Sequence, residues 1–362
     1  MAGEARTALR RGWTTGACAA AAARAAFAAM LTGRFPDPVS IRLPRGGSAS
    51  FPLALAERGE VRVRAGVVKD AGDDPDVTHG ALIIAETEWA APGAGIGFAA
   101  GEGVGVVTRA GLSLAVGEPA INPAPRAMIR DMLLDVAAEH AASPPDLTVT
   151  ISIPGGERLA EKTMNARLGI IGGLSILGTT GVVIPYSCAS WIHSIHRGID
   201  VARAAGLERI AAATGATSER AVQRLYDLPD HALIDMGDFV GATLKYLRRH
   251  PIRHLTIAGG FAKFAKLAAG HLDLHSARSQ VDTKALTQLL AELGADAAVV
   301  DAARSAVGAG EILSLAGNKR EALARAVAAQ AREVTLATLS GQTAVELAIV
   351  DRQGDFLARV GG

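Results

Sequence analysis

Apolar residues follow two different rhythms along this chain. Between Val39 and Thr108 they come in short runs, VSIRLP, FPLALAE, VRVRAGVV, GALIIAETEWA and GVGVVT, broken by Gly, Pro and Asp. Runs of that length bounded by turn formers predict β-strands. APRAMIRDMLLDVAAEHA, Ala124 to Ala141, has helical spacing, and DLTVTISIP returns to strand. After about Gly155 a strand is followed by a helix, three times over: RIAAATG then SERAVQRLYD, HALIDMG then DFVGATLKYLRRH, IRHLTIAGG then FAKFAKLAAG. Such alternation is the pattern of parallel strands joined by crossover helices. The chain therefore predicts an α+β N-terminal domain, residues 1–155, followed by an α/β domain with a mainly parallel sheet, residues 156–362. The tail, AVELAIVDRQGDFLARV, predicts a hairpin about Gln353 and Gly354 that docks elsewhere.

An alanine-rich helix is predicted from Gly16 to Leu31, because alanine is the best helix former and Arg24, Phe27 and Met30 supply one larger residue per turn or so. Thr14 and Thr15 are N-cap candidates and Gly16 allows close entry to the first turn. The free N–H groups of such a start, with Arg10 and Arg11 just upstream, suit a carboxylate or phosphate. The alternative is that the threonines only cap and the alanines only permit close packing.

A length of 362 residues suggests two domains, and 49% hydrophobic with 20% charged residues is a globular composition. A formal net charge of +1 gives no basis for a polyanion-binding face, so nucleic acid is disfavoured. Cys18 and Cys188 lie far apart, and one falls inside the alanine helix, which points to reduced thiols and a cytoplasmic protein. No signal-peptide pattern is expected at the N-terminus. Leu168 to Ile192 carries no charge, but its glycines and Pro185 read as buried loop and strand rather than a membrane span.

Four segments carry candidate chemistry. The helix start is the first. The second is VKDAGDDPDVTHG, where Asp70, Asp73, Asp74 and Asp76 crowd a turn; it lacks the spacing and closing Glu of a calcium loop, and Asp and Pro are ordinary turn formers. The third, NARLGIIGGLSILGTTGVVIPYS, has glycines that let backbone approach a ligand, but neither the Walker lysine nor the dinucleotide spacing. In the fourth, LTIAGGFAKFAKLAAGHLDLHS, an apolar strand ends in Gly259 and Gly260 and enters a helix bearing Lys263 and Lys266. Ligands bind at such carboxyl strand ends in open parallel sheets, and Asp235 and Asp238 at a neighbouring strand end suit ribose hydroxyls. Tight strand-to-helix turns also use paired glycines for packing. His193 and His196 share a helix face near Cys188, without a fourth ligand at zinc spacing, so no metal site is expected. A corrinoid-binding D-x-H-x-x-G run at Asp273 and His275 fails at Arg278.

Taken in order, GWTTGACAAAAA, KDAGDDPDVTHG, GEGVGVVTRAGL, GEPAINPAPR, RLGIIGGLSILGTTGVVIPYS and AGGFAKFAKLAAGHLDLHS resemble the CbiD family, the cobalt-precorrin-5B C1-methyltransferases of cobalamin biosynthesis. The resemblance covers Arg10 to about Ser276; the last eighty or so residues match less distinctly. It implies methyl transfer from S-adenosylmethionine to C1 of the ring-contracted tetrapyrrole, giving precorrin-6A or its cobalt form, and a fold unlike the two-domain tetrapyrrole methylases of the same pathway. It brings no residue-level mechanism.

Displacement at a sulfonium methyl demands alignment more than acid or base, and the acetate and propionate groups of such a substrate call for helix N-termini and arginines. On that basis Thr14, Thr15 and Gly16, with Arg10 or Arg11, are expected to receive a substrate carboxylate, Ser175, Thr179 and Thr180 to line the substrate, and Asp235, Asp238, Gly259 and Gly260 to hold the donor. His79 or Asp76 is the candidate base, should a ring proton need removing. Neither a nucleic-acid nor a membrane partner is expected, and a homo-oligomer is compatible with the sequence. Two rivals are a phosphotransferase, disfavoured by the missing Walker lysine, and a non-catalytic tetrapyrrole carrier.

Overall fold

The computed structural model describes residues 9–361, and the chain divides into two compact units between Ser187 and Cys188, later than the expected 155/156 boundary. The secondary structure is mixed α/β, with sheets of mixed strand orientation.

The first unit opens with a short strand, β1 (Gly12–Trp13), and α1 (Thr15–Thr32). Strands β2 (Val39–Arg42) and β3 (Ser48–Phe51) form a hairpin. The main sheet uses β4 (Leu55–Arg58), β5 (Arg62–Val68), β6 (Leu82–Trp89), β7 (Ile96–Ala100) and, beyond β8 (Val106–Val107) and α2 (Pro123–Glu139), strand β9 (Leu147–Ser152). Their spatial order is β4-β5-β6-β9-β7, antiparallel except for β7 beside β9. Helix α1 is long and apolar enough to cross a membrane by composition, yet it is the core of this unit, buried from Thr15 to Ala29 except at Arg24. Arg24 reaches Glu139 at 2.7 Å, and Phe27 meets Trp89 edge-on at 5.9 Å. Alanine's small side chain is what lets β5, β6 and α2 close around the helix.

The glycine-rich segment belongs to this unit. After α3 (Gly156–Ala160) it supplies β10 (Ile170–Ile171), paired with β8, and β11 (Val182–Val183), paired with β1. Gly173 lies so close to Gly103 and Val104 that a Cβ there would sit among their backbone atoms.

The second unit begins with α4 (Cys188–Ala204), then β12 (Arg209–Ala213), α5 (Ala216–Tyr226), β13 (Leu233–Asp235), α6 (Val240–Arg249), β14 (His254–Gly259) and α7 (Phe261–Ala268). Four helices unassigned from the sequence follow: α8 (Thr283–Glu292), α9 (Ala297–Arg304), α10 (Ala309–Leu315) and α11 (Arg320–Leu339). The tail is a hairpin, β15 (Ala344–Val350) and β16 (Phe356–Val360), turning through Gln353 and Gly354. It does not dock apart from the sheet, as expected, but completes it: β15 lies parallel to β14, and β16 closes the edge antiparallel. The order β13-β12-β14-β15-β16 has four parallel strands.

Successive residues of these strands feed opposite faces. Ile210, Ala212, Leu255, Ile257, Val345 and Leu347 join a large core with residues of α4, α6, α7 and α11, whereas Ala211, Ala213, Ala258 and Ala348 meet Val222 of α5. The chain leaves β12 for β13 on one side and returns past it to β14. The carboxyl ends of β12 and β14 are therefore a topological switch point, with a crossover helix departing to each face.

Candidate active site

The helix start of the first unit is closed by its own protein. Thr14 is the N-cap: its Oγ1 accepts from Ala17 N at 3.1 Å. Thr15 is 3% exposed; its Oγ1 accepts from Leu177 N at 2.9 Å and donates to Leu177 O at 3.3 Å. Gly16 N also donates to Leu177 O, at 3.0 Å. Gly178, at φ 120°, presses on the Thr14 side chain so closely that a Cβ would overlap it. The expected carboxylate seat at Thr14, Thr15 and Gly16 is thus filled by the 177–178 backbone. Ser175 is likewise inward, 8% exposed and bonded to the buried Asn165 at 3.3 Å, while Thr180 Oγ1 is spent on Val182. Thr179 is exposed.

Around the acidic turn each carboxylate has a donor from the chain. Asp70 forks with the Arg10 guanidinium, and Asp73 accepts from Arg10 N at 2.6 Å. Asp74 accepts from Tyr186 N at 2.8 Å. Asp76 accepts from the Lys69 ammonium at 2.8 Å, Thr78 N at 2.8 Å and Thr78 Oγ1 at 2.6 Å. Lys69 is 1% exposed, so Asp76 serves as its counter-ion. Burial raises the Asp76 pKa, but Lys69 and Thr78 together outweigh it and hold the carboxyl below its ordinary value, which makes it a poor proton acceptor. His79 Nδ1 accepts from Ala71 N at 3.1 Å, which assigns the proton of the neutral ring to Nε2. His79 Nδ1 and both oxygens of Asp76 thus have their acceptor positions engaged within the chain. Arg11 is exposed and makes no hydrogen bond or ion pair with the described residues of its unit, in contrast to Arg10.

In the second unit, Gly259 ends β14 against Thr214, and Gly260 caps α7 with open space where a side chain would be. Gly215, capping α5 at the end of β12, is equally open. Two helix N-termini thus flank the switch point with uncovered backbone, a setting for polar ligand groups. Asp238 Oδ1 accepts from Lys263, and its other oxygen has no donor among the described residues of this unit. The structure groups Asp238 with Gly259 and Gly260. Asp235 ends the edge strand β13, separated from β14 by β12, and its carbonyl accepts from Trp191 Nε1 at 3.0 Å.

The His196 ring stacks on Tyr246 at 3.9 Å, and Tyr246 stacks in turn on His250 at 4.2 Å, so His196 serves packing, while His193 is exposed.

Comparison with known proteins decides the family. The CbiD family model matches residues 2–185, and the model of the CbiD C-terminal domain matches residues 273–361. The chain is 58% identical over 353 residues to a cobalt-precorrin-5B C(1)-methyltransferase of Brucella anthropi, covering 97% of this chain and 96% of the relative. The chain belongs to the CbiD family.

A second relative of the same name, from Paramagnetospirillum magneticum, is 59% identical over 348 residues, covering 96% of this chain and 97% of that one. A crystal structure titled as cobalamin biosynthesis protein (cbiD) from Archaeoglobus fulgidus is 31% identical, covers 75% of this chain and 83% of its own, and superposes with a TM-score of 0.41. The CbiD C-terminal model also corrects the expectation that the last eighty residues match the family less distinctly.

Sequence reasoning missed three participants in this CbiD chain. Lys69 follows two valines in a turn and reads as a solvated lysine. Gly215 reads as a strand terminator. Leu177, whose main chain closes the helix start, carries no signal at all.

Proposed function

We propose that the chain methylates C1 of cobalt-precorrin-5B, giving the corresponding precorrin-6A, in cobalamin biosynthesis. What supports it is identity of 58 and 59% over 96% or more of the chain to proteins named for that activity. S-adenosylmethionine is the donor in this proposal, supplying an electrophilic methyl group on a sulfonium.

For the donor, the fitting residues are Gly215 and Gly260, whose backbone is open, and Asp238, whose second oxygen suits a ribose hydroxyl. Gly259 keeps the β14 end close to Thr214. For the substrate, Arg11 is the arginine left to meet a carboxylate, since Arg10 is held by Asp70. It adjoins β1, opposite the end of β11, where Ile184 and Tyr186 are exposed at 57 and 69%. Exposed apolar side chains on a segment without charge suit a macrocycle whose charges lie on its rim, and Thr179 belongs to the same segment. The chain's contribution is alignment and desolvation of the acceptor carbon rather than proton transfer, consistent with Asp76 and His79 being otherwise engaged.

S-adenosylhomocysteine tests the proposal. A ligand that binds only the folded state adds about 2.7 kcal/mol at one hundred times its Kd, a readily measured rise in melting temperature. No rise at millimolar ligand would count against donor binding.

A further inference from the structure

Lys266 is a buried ammonium without a counter-ion among the described residues of its unit. It is 6% exposed, and its Nζ donates to one acceptor, the Leu274 carbonyl, at 3.0 Å. No carboxylate of the second unit lies within ion-pairing distance of it. The nearby acids are committed: Asp238 to Lys263, and Asp273 to Arg278 at 2.5 Å and to His275 N at 3.1 Å. Lys263 Nζ also reaches the Leu274 carbonyl, at 3.5 Å, so two ammonium groups converge on a single main-chain oxygen.

Two positive charges so placed repel, and only one has a carboxylate. A buried charge persists when it is paired and its donors are used, yet Lys266 has three donors and one acceptor. Burial, and secondarily the Lys263 charge, push its pKa below the ordinary lysine value, the direction expected of a site short of one negative charge. A purely structural tie to Leu274 needs only a neutral donor. The position adds a second argument: Lys263 and Lys266 lie in the first and second turns of α7, the helix that starts at the open Gly260 of the switch point.

We propose that Lys266, with Lys263 beside it, is the anion subsite of the second unit and takes a ligand carboxylate. This rests on the methyltransferase proposal, under which two carboxylate sources exist: the amino-acid end of the donor and the acid side chains of the tetrapyrrole. Lys266 is a binding residue here, and no chemical step is assigned to it.

The test is calorimetric titration of the full chain and of Lys266→Met with three probes: S-adenosylhomocysteine, its decarboxylated analogue and uroporphyrin, a macrocyclic polycarboxylate. Loss of a charge-assisted contact predicts a Kd raised about tenfold to one hundredfold for the probe that uses the site, corresponding to roughly 1.5 to 3 kcal/mol. If the donor is the source, the parent binds S-adenosylhomocysteine that much more tightly than the decarboxylated analogue, and Lys266→Met abolishes the difference. If the macrocycle is the source, uroporphyrin binding alone weakens in Lys266→Met. Should the variant not fold, Lys266→Arg is to retain the preference, and the parent's comparison of the two adenosyl probes together with uroporphyrin displacement by acetate stands in for it. A parent that binds a probe, with Lys266→Met unchanged toward all three, overturns the subsite alone. A parent that binds none of them overturns the methyltransferase site and the subsite with it.

Discussion

Replacing Thr15 by valine removes one hydroxyl and almost no volume, which isolates the joint between α1 and the glycine-rich segment. In the parent, that hydroxyl receives the Leu177 N–H at 2.9 Å in a residue only 3% exposed. The Leu177 carbonyl keeps the Gly16 N–H at 3.0 Å after the change, whereas the Leu177 N–H loses its partner. Leu177 is itself 50% exposed, so water can reach its stranded N–H in part, and the cost falls at the low end of the range for an unpaired donor, about 1 kcal/mol. A unit of 187 residues loses about 2 to 4 °C of melting temperature per kcal/mol, so Thr15→Val should melt about 2 to 4 °C below the parent. Thr179→Val, at an exposed position, should stay within about 0.5 kcal/mol. Thermal melts by circular dichroism give both values, and steady-state kinetics below the transition should show the KM for tetrapyrrole unchanged in Thr15→Val. A variant that melts with the parent while its tetrapyrrole KM rises would refute the joint and restore a carboxylate seat at the helix start.

Four further outcomes follow from the same geometry. Asp76→Asn strands the buried Lys69 charge and should cost about 3 to 5 kcal/mol in urea unfolding, far more than Asp73→Asn; equal losses would contradict the counter-ion role. Asp76 is held low, and Asp70 is lowered from 3.8 to about 2, chiefly by its hydrogen bonds from Arg10 and Gly72, so their stabilisation is present above the ordinary carboxylate range and drains as pH falls, for Asp70 between those two values. The Asp70 share is small because the pair is exposed, and a melting temperature flat down to about pH 2 would be inconsistent with both shifts. Burial raises the Cys18 thiol to about 12, so alkylation of native protein at about pH 8 should label Cys188 and spare Cys18 until unfolding; the same shift makes stability decline as pH rises above about 9, where only the unfolded thiol ionises. Gly260→Val fills open space at an ordinary φ of −76°, so it should leave the melting temperature near the parent's while weakening S-adenosylhomocysteine binding; unaltered affinity would remove Gly260 from the donor site.

Local patterning made much of this fold legible. The alanine run, the strands at 39–44, 61–68 and 80–90 and the three strand-helix pairs stand where their periodicities put them to within about two residues, whereas the run at 51–57 is split between the end of β3, a loop and β4, and that at 103–108 shrinks to β8. What stayed hidden depends on partners distant in the chain. Thr14 and Thr15 were recognisable as caps, but the backbone that covers them comes from residue 177, and only that contact turns an anion seat into a joint. Strand β7, IGFAA, is too short and glycine-broken to announce itself, and it exists because β9 offers it a parallel edge. The glycine pair at residues 259 and 260 was visible as a strand-to-helix turn. Its pairing with Gly215 was not, since no local signal says that β12 and β14 are neighbours and β13 lies outside them. Lys69 and Lys266 resemble surface lysines in sequence; their burial is a property of the packed chain.

The most direct test of the central claim is to incubate the purified chain with cobalt-precorrin-5B and S-adenosylmethionine carrying an isotopically labelled methyl group, then to locate the label in the product by NMR. The account predicts one labelled methyl group, on C1, formed only when protein and donor are both present. A product methylated at another carbon, or unmethylated tetrapyrrole recovered from folded protein that binds both partners, would contradict it.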